Sequence, residues 1–210
     1  FAGSFLGATV VFHPVTFDAR MFRLDGAFGF QASVFLAQFA KANPFVESVL
    51  RVAYKYMYVV FVLAFGCQVR EGWRNRGWHV VEVWFVVSVC GLTAYHFFPV
   101  CGPMYAFGDR FPGAMPASDM ITLAPTLVQP SMRNGVPSLH FGWSFAVWLL
   151  ALGMQSRFLK WGCGLLAMLM IFATLALGEH YLLDLVVAVP FVVGVMGLTV
   201  RGIPWAAPAR

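Results

Sequence analysis

The chain has 210 residues, 60% of them hydrophobic and only 11% charged, with a mean hydropathy of +0.75. A soluble domain carries about 25% charged residues, so a water-soluble class is excluded, and long unalternated apolar runs exclude a transmembrane β-barrel. The net charge of +5 lies in short loops between apolar runs, as membrane topology requires, so no nucleic-acid partner is expected.

These features predict an all-α fold, a polytopic transmembrane helical bundle of about six spans, as a single membrane-embedded domain over residues 1–210. Phe1 to Phe12 is apolar but too short to span, and it reads as the outer end of a helix whose beginning is missing. Residues 13–48 mix Asp18, Arg20, Arg23, Asp25, Lys41 and Glu47 with many Phe and Ala, which predicts short amphipathic helices in the interface. Val49 to Cys67 is the first complete span, with Tyr54, Tyr56 and Tyr58 as an aromatic belt and Lys55 snorkelling to headgroups. A basic loop follows, with Arg70, Arg74 and Arg76, then a span from Val80 to Phe98 with Glu82 near its start.

Residues 99–136 form a long loop containing Pro99, Pro103, Pro112, Pro116, Pro125 and Pro130. So many prolines oppose a continuous helix, and a loop of this length points to function. Pro137 suits the first turn of the next helix, which runs to about Met154. Gln155 to Lys160 is a basic turn, Trp161 to Leu177 spans again, and Leu182 to Val200 spans last, with Pro190 expected to kink it. Cys67, Cys90, Cys101 and Cys163 are scattered without a CxxC pair, so neither a disulfide framework nor a zinc site is indicated.

By alternation, the loops after Cys67, Met154 and Val200 share one side and hold seven Lys/Arg in few residues, which makes that side cytoplasmic. The opposite side also holds seven, spread over much longer stretches. This places the long loop on the extracytoplasmic face of an integral protein of the cell (inner) membrane.

Two motifs then meet at that face, because a chain that enters a bilayer and comes back returns to the side it left. His180 and Asp184, four apart, suit a carboxylate–imidazole hydrogen bond on one helix face. Such an acid fixes the imidazole tautomer and leaves His180 as a nucleophile or base. His140 brings a second imidazole, able to protonate a leaving group. Arg133, Asn134 and Ser138 flank a helix N-terminus, a natural anion site. Arg110 and Tyr105 of the long loop are further candidates. Glu179 is read as solvent-facing, and His13, His79 and His96 as interfacial.

Bland alternatives stand beside each of these. A His/Asp pair can simply mark the interface, Arg133 can pair with a headgroup, and Tyr105 and Arg110 can be turn residues. Zinc is possible by ligand type, but the spacing is not a usual zinc one. A proton-coupled transporter requires polar residues through the bilayer depth, and the spans are nearly bare of them apart from Glu82. A scaffold without activity would have no use for an intact His140, His180 and Asp184.

Pro137-Ser138-Leu139-His140 resembles the Pro-Ser-Gly-His motif of the type 2 phosphatidic acid phosphatase superfamily, and Gly178 with His180-Tyr181-Leu182-Leu183-Asp184 resembles its His-x₃-Asp motif. The sequence is most similar to the branch containing inositol phosphorylceramide synthases and related bacterial membrane phosphotransferases. The resemblance implies that His180 attacks phosphorus to form a phosphohistidine, Asp184 orients it, and His140 protonates the leaving alkoxide. It implies a membrane lipid substrate, a small alcohol or polyol acceptor, and no cofactor or metal. Two departures stand out. Ala173-Thr174 occupy the place of the phosphatases' Ser-Arg, and their Lys-x₆-Arg-Pro motif is not found. Fewer arginines shift the expectation toward lipid phosphotransfer, with Arg133 as the main phosphate contact. The alternative is a lipid phosphate or polyprenyl pyrophosphate phosphatase using water as acceptor.

Overall fold

The computed structural model describes residues 2–70, 77–117, 120–121, 126–127, 131–154 and 156–199. Phe1, Arg74, Arg76, Pro125, Pro130, Gln155 and Val200, invoked above, lie outside the described residues. In chain order the helices are α1 (Ala2–Phe12), α2 (Asp18–Gly26), α3 (Ala32–Ala42), α4 (Pro44–Arg70), α5 (Gly77–Phe97), α6 (Pro103–Phe107), α7 (Leu139–Leu152), α8 (Arg157–Ala176) and α9 (Leu182–Thr199). Two short strands, β1 (Val15–Thr16) and β2 (Thr126–Leu127), pair antiparallel with Val15 opposite Leu127 and tie the long loop to the start of α2.

Among the described residues, four helices have segments long and apolar enough to cross a membrane: Pro44–Cys67, Val80–Phe97, Arg157–Ala176 and Leu182–Thr199. Large apolar side chains such as Val62, Phe85, Leu165 and Leu198 point outward from them, which suits a bilayer rather than water. The fifth apolar helix, α7, has 14 residues and is about 21 Å long, at 1.5 Å per residue. It packs against α4, α5, α8 and α9. Val147, Leu150 and Ala151 of α7 are buried in one core with Val83 and Val87 of α5 and Val192 and Met196 of α9. A short helix can occupy the centre because its neighbours, not lipid, surround it.

Several boundaries differ from the sequence expectation, each for a local reason. α4 starts at Pro44 rather than Val49, because proline suits a first helical turn and Glu47 pairs with Arg51 at 2.6 Å, one turn apart. Those charges break the apolar run without breaking the helix. α8 starts at Arg157 rather than Trp161, capped by the Ser156 hydroxyl, which accepts from the Leu159 N–H at 3.3 Å. α7 starts at Leu139, and Pro137 precedes it across a cis bond instead of occupying its first turn. α9 continues through Pro190. The long loop is not wholly irregular: α6 begins with Pro103 and leads into a 3-10 turn over Gly108–Arg110.

Residues 13–48 hold α2, α3 and the start of α4, and their packing explains the charges there. α3 lies against α8, and α2 lies against α6 and α9. α2 turns two carboxylates inward, Asp18 and Asp25, both fully buried. Asp18 accepts from the backbone N–H groups of Cys101 and Gly102 and from the Tyr181 hydroxyl. Asp25 accepts from the Leu182 and Leu183 N–H groups at 2.7 and 2.9 Å. A helix start leaves such N–H groups without intrahelical partners, so Asp25 caps α9 from a distant element. Burial pushes both carboxyls above the usual range, against the pull of these hydrogen bonds. Asp25→Ala is expected to destabilise the protein by about 2 kcal/mol, because two buried donors lose their acceptor. The midpoint of thermal unfolding in detergent, followed by tryptophan fluorescence, measures it, and an unchanged midpoint contradicts the brace.

Candidate active site

The first half of α4, the end of α5, the α8–α9 turn and the starts of α7 and α9 meet at one end of the bundle. α8 ends at Ala176, and the Thr174 carbonyl in its last turn receives the N–H groups of both Glu179 and His180 at 3.0 and 3.3 Å. The chain reverses at Gly178, with φ +73°, a conformation that side chains rarely adopt. A Cβ there would also press into the Phe111 ring and Met104. Gly102, at φ +104°, approaches the Glu179 carbonyl so closely that no side chain fits. The Met104 N–H also donates to the Gly178 carbonyl at 2.9 Å. The loop after α5 and the turn after α8 are therefore knitted together, with Asp18 gripping the first of them.

His180 sits in that turn, buried, before α9 begins. Its Nδ1 lies 3.2 Å from Asp184 Oδ2, and the Tyr181 N–H donates to the same oxygen at 2.8 Å. The expected contact is present, but through a turn closing onto the first turn of α9, not along one helix face. With Nδ1 engaged by the carboxylate, the free lone pair of a neutral ring is on Nε2. Asp184 Oδ1 is buried without a hydrogen-bond partner.

His140 lies in the first turn of α7. The Ser138 N–H donates to the Asp184 carbonyl at 3.2 Å, joining the start of α7 to the start of α9. The two imidazoles are near enough to interact electrostatically. Tyr54 stacks on the His140 ring, with centroids 4.2 Å apart and planes 18° apart, and its hydroxyl lies 3.3 Å from Nδ1. Trp143 and Tyr58 flank the same ring.

The other candidates fall in different places. Ser138 is the N-cap of α7, yet its hydroxyl makes no capping bond and is buried without a partner. Arg133 is 1% exposed. Its Nε donates to the His13 carbonyl at 3.0 Å, and its Nη1 faces the Ser131 carbonyl and Cys101 Sγ. Asn134 is half-buried beside it. Arg110 is exposed, its guanidinium 5.9 Å from the Phe107 ring centroid. Tyr105 donates to the carboxylate of Glu179, 3.2 Å from each oxygen.

Glu179 is not the solvent-facing residue that sequence suggested. It is half-buried, and burial pushes its carboxyl above the usual range despite the opposing pull of His180, Tyr105 and Arg51. Tyr54 and Tyr58 likewise turn toward His140, while Tyr56 points outward with Lys55 near its ring. The interfacial reading of His13 and His96 omits a mutual contact, Nε2 to Nδ1 at 3.3 Å. Among the described residues, no three His, Cys, Asp or Glu side chains cluster as a metal site.

The family model of the PAP2 superfamily matches residues 19–198. The chain belongs to the PAP2 superfamily. Its two histidine motifs fall within the matched span, as do α3 to α8 and nearly all of α2 and α9. Membership brings a lipid phosphatase or phosphotransferase type of activity, and the apolar helices make this PAP2 protein an integral membrane protein. Comparison with curated proteins and with solved structures gives no match.

Sequence alone missed Tyr54, Asp18, Asp25 and the inward placement of Glu179. The one signal available was carboxylates in a segment otherwise suited to the interface. Which backbone groups they would cap was invisible, because those partners lie more than 80 residues away.

Proposed function

We propose that this PAP2 protein is a membrane-embedded lipid phosphotransferase, from the branch similar to inositol phosphorylceramide synthases, working on the extracytoplasmic face of the cell membrane. It moves a phosphoryl or phospho-headgroup from a lipid to a small alcohol or polyol through a phosphohistidine. The observation that carries this reading is the buried His180–Asp184 pair set against His140.

Asp184 takes the hydrogen bond from His180 Nδ1 and stabilises the positive ring that forms when Nε2 attacks phosphorus. The N–P bond forms as the P–O bond to the lipid breaks, and His140 delivers a proton to the departing alkoxide. In the second step the acceptor hydroxyl attacks phosphorus, His140 receives its proton, and the N–P bond breaks. Water in place of the alcohol would make the same site a phosphatase.

The phosphoryl oxygens fall to Ser138 and the α7 N-terminus, where the helix dipole favours an anion. The unpartnered Ser138 hydroxyl suits that duty. Arg133 braces the segment that presents Ser138, through the His13 and Ser131 carbonyls, and Asn134 and Arg110 border it. The missing Ser-Arg and Lys-x₆-Arg-Pro arginines favour transfer over hydrolysis of a phosphate monoester. Purified protein given a radiolabelled phospholipid with and without polyols decides the acceptor. Label is expected to move to the polyol; release of water-derived product alone contradicts the transferase.

A further inference from the structure

We propose that Glu179 is a charge filter, by which this site selects a monoanionic phosphodiester over a dianionic phosphomonoester. The inference rests on His180 being the nucleophile. A carboxylate next to a phosphoryl-attacking histidine is a poor choice for gripping a phosphate, since every negative charge on the substrate is repelled by it. Yet Glu179 is not a loose surface residue. Its N–H is held by the Thr174 carbonyl at 3.0 Å, and its carbonyl is backed by Gly102. Its carboxylate receives the Tyr105 hydroxyl on both oxygens.

That charge is carried by the residue next to His180 in the chain, within electrostatic reach of the site. Glu179 interacts with His180, and it also acts on Tyr54, the residue stacked on His140. Arg51, whose charge also acts on it, is bonded through Nε and Nη2 to Glu47 at 2.9 and 2.6 Å. Among the described residues, no lysine or arginine makes an ion pair with Glu179 itself. Among these residues no ion pair of its own cancels the Glu179 charge, and it stands next in the chain to the histidine that must meet the phosphoryl group. One charge more on the substrate is repelled by that carboxylate, whereas a phosphodiester has exchanged that charge for an ester oxygen.

The test uses two lipids that release the same diacylglycerol: a phosphatidic acid and its phosphoglycerol diester. In each, His180 Nε2 bonds to phosphorus, the P–O bond to diacylglycerol breaks, and diacylglycerol leaves with a proton from His140. The substrates thus differ in charge, not in leaving group. The full chain in detergent micelles is expected to prefer the diester in kcat/KM by about tenfold or more. Glu179→Gln keeps the shape and an acceptor for Tyr105, and is expected to lower that preference about tenfold, chiefly through a gain on the monoester. Tyr105→Phe keeps the charge and is expected to keep the preference. An unchanged ratio in Glu179→Gln, or an equal change in Tyr105→Phe, overturns the filter. Acid-labile phospho-adduct is followed in the same reactions. An adduct with an unchanged ratio overturns the filter alone, and no adduct with either lipid overturns the histidine mechanism beneath it as well.

Discussion

His180→Ala abolishes turnover, with a fall of about 10⁴-fold or more, and removes the covalent phospho-adduct altogether. The size follows from what the residue does in the proposed mechanism. A nucleophile divides one difficult displacement into two easier ones, and among the described residues no other imidazole is held by a buried carboxylate. The Asp184 bond fixes the ring so that Nε2, not Nδ1, carries the reactive lone pair. Loss of His180 leaves Asp184 with the Tyr181 N–H still donating to Oδ2 at 2.8 Å, so the turn and the fold are expected to survive. Unfolding midpoints matching the unmutated protein verify this, and quench-flow with labelled phospholipid measures the adduct. Activity retained within about tenfold contradicts the nucleophile assignment.

His140→Ala has the second largest effect, and its signature is selective. A general acid contributes roughly 10²- to 10⁴-fold, and most where the leaving group is basic. Adduct formation from a dialkylglycerol ester is expected to slow by about that much, while an activated p-nitrophenyl ester slows far less. A merely structural His140 would slow both alike. The Tyr54 stack and the Trp143 and Tyr58 rings hold this imidazole in one orientation, close to the start of α7. The ring is thus held in one place before the substrate arrives. Single-turnover rates over a series of leaving groups give the slope that distinguishes the two cases.

How much of this was legible in the sequence depends on distance along the chain. Apolar runs gave the membrane helices, since a bilayer forces about 20 consecutive apolar residues on any spanning helix. Counting those runs put His140 and His180 at the same face without any motif. The spacing of four gave the His180–Asp184 contact, though the chain achieves it through a turn rather than on a helix face. Helix starts were less legible. Glu47 and Arg51 look like an interruption of apolar sequence, yet as an i,i+4 pair they support the first turns of α4.

The braces were not legible at all. Asp18 and Asp25 look like interfacial charges until Gly102 and Leu182 arrive from distant parts of the chain to be capped. Arg133 shows the converse problem. A long cationic side chain before a helix N-terminus reads as a phosphate ligand, but its reach also lets it bond the His13 and Ser131 carbonyls. Residue type states what a group can do, and only packing decides which partner it meets.

The central claim is that phosphorus bonds to His180 with the acid His140 beyond it. The most direct measurement is a structure with vanadate, which adopts the trigonal-bipyramidal shape of the transferring phosphoryl group. Vanadium is expected to bond to His180 Nε2, with an apical oxygen facing His140 and equatorial oxygens at the Ser138 hydroxyl and the α7 N-terminus. Vanadate bound away from His180, or held there through Asp184 with the imidazole turned aside, contradicts it.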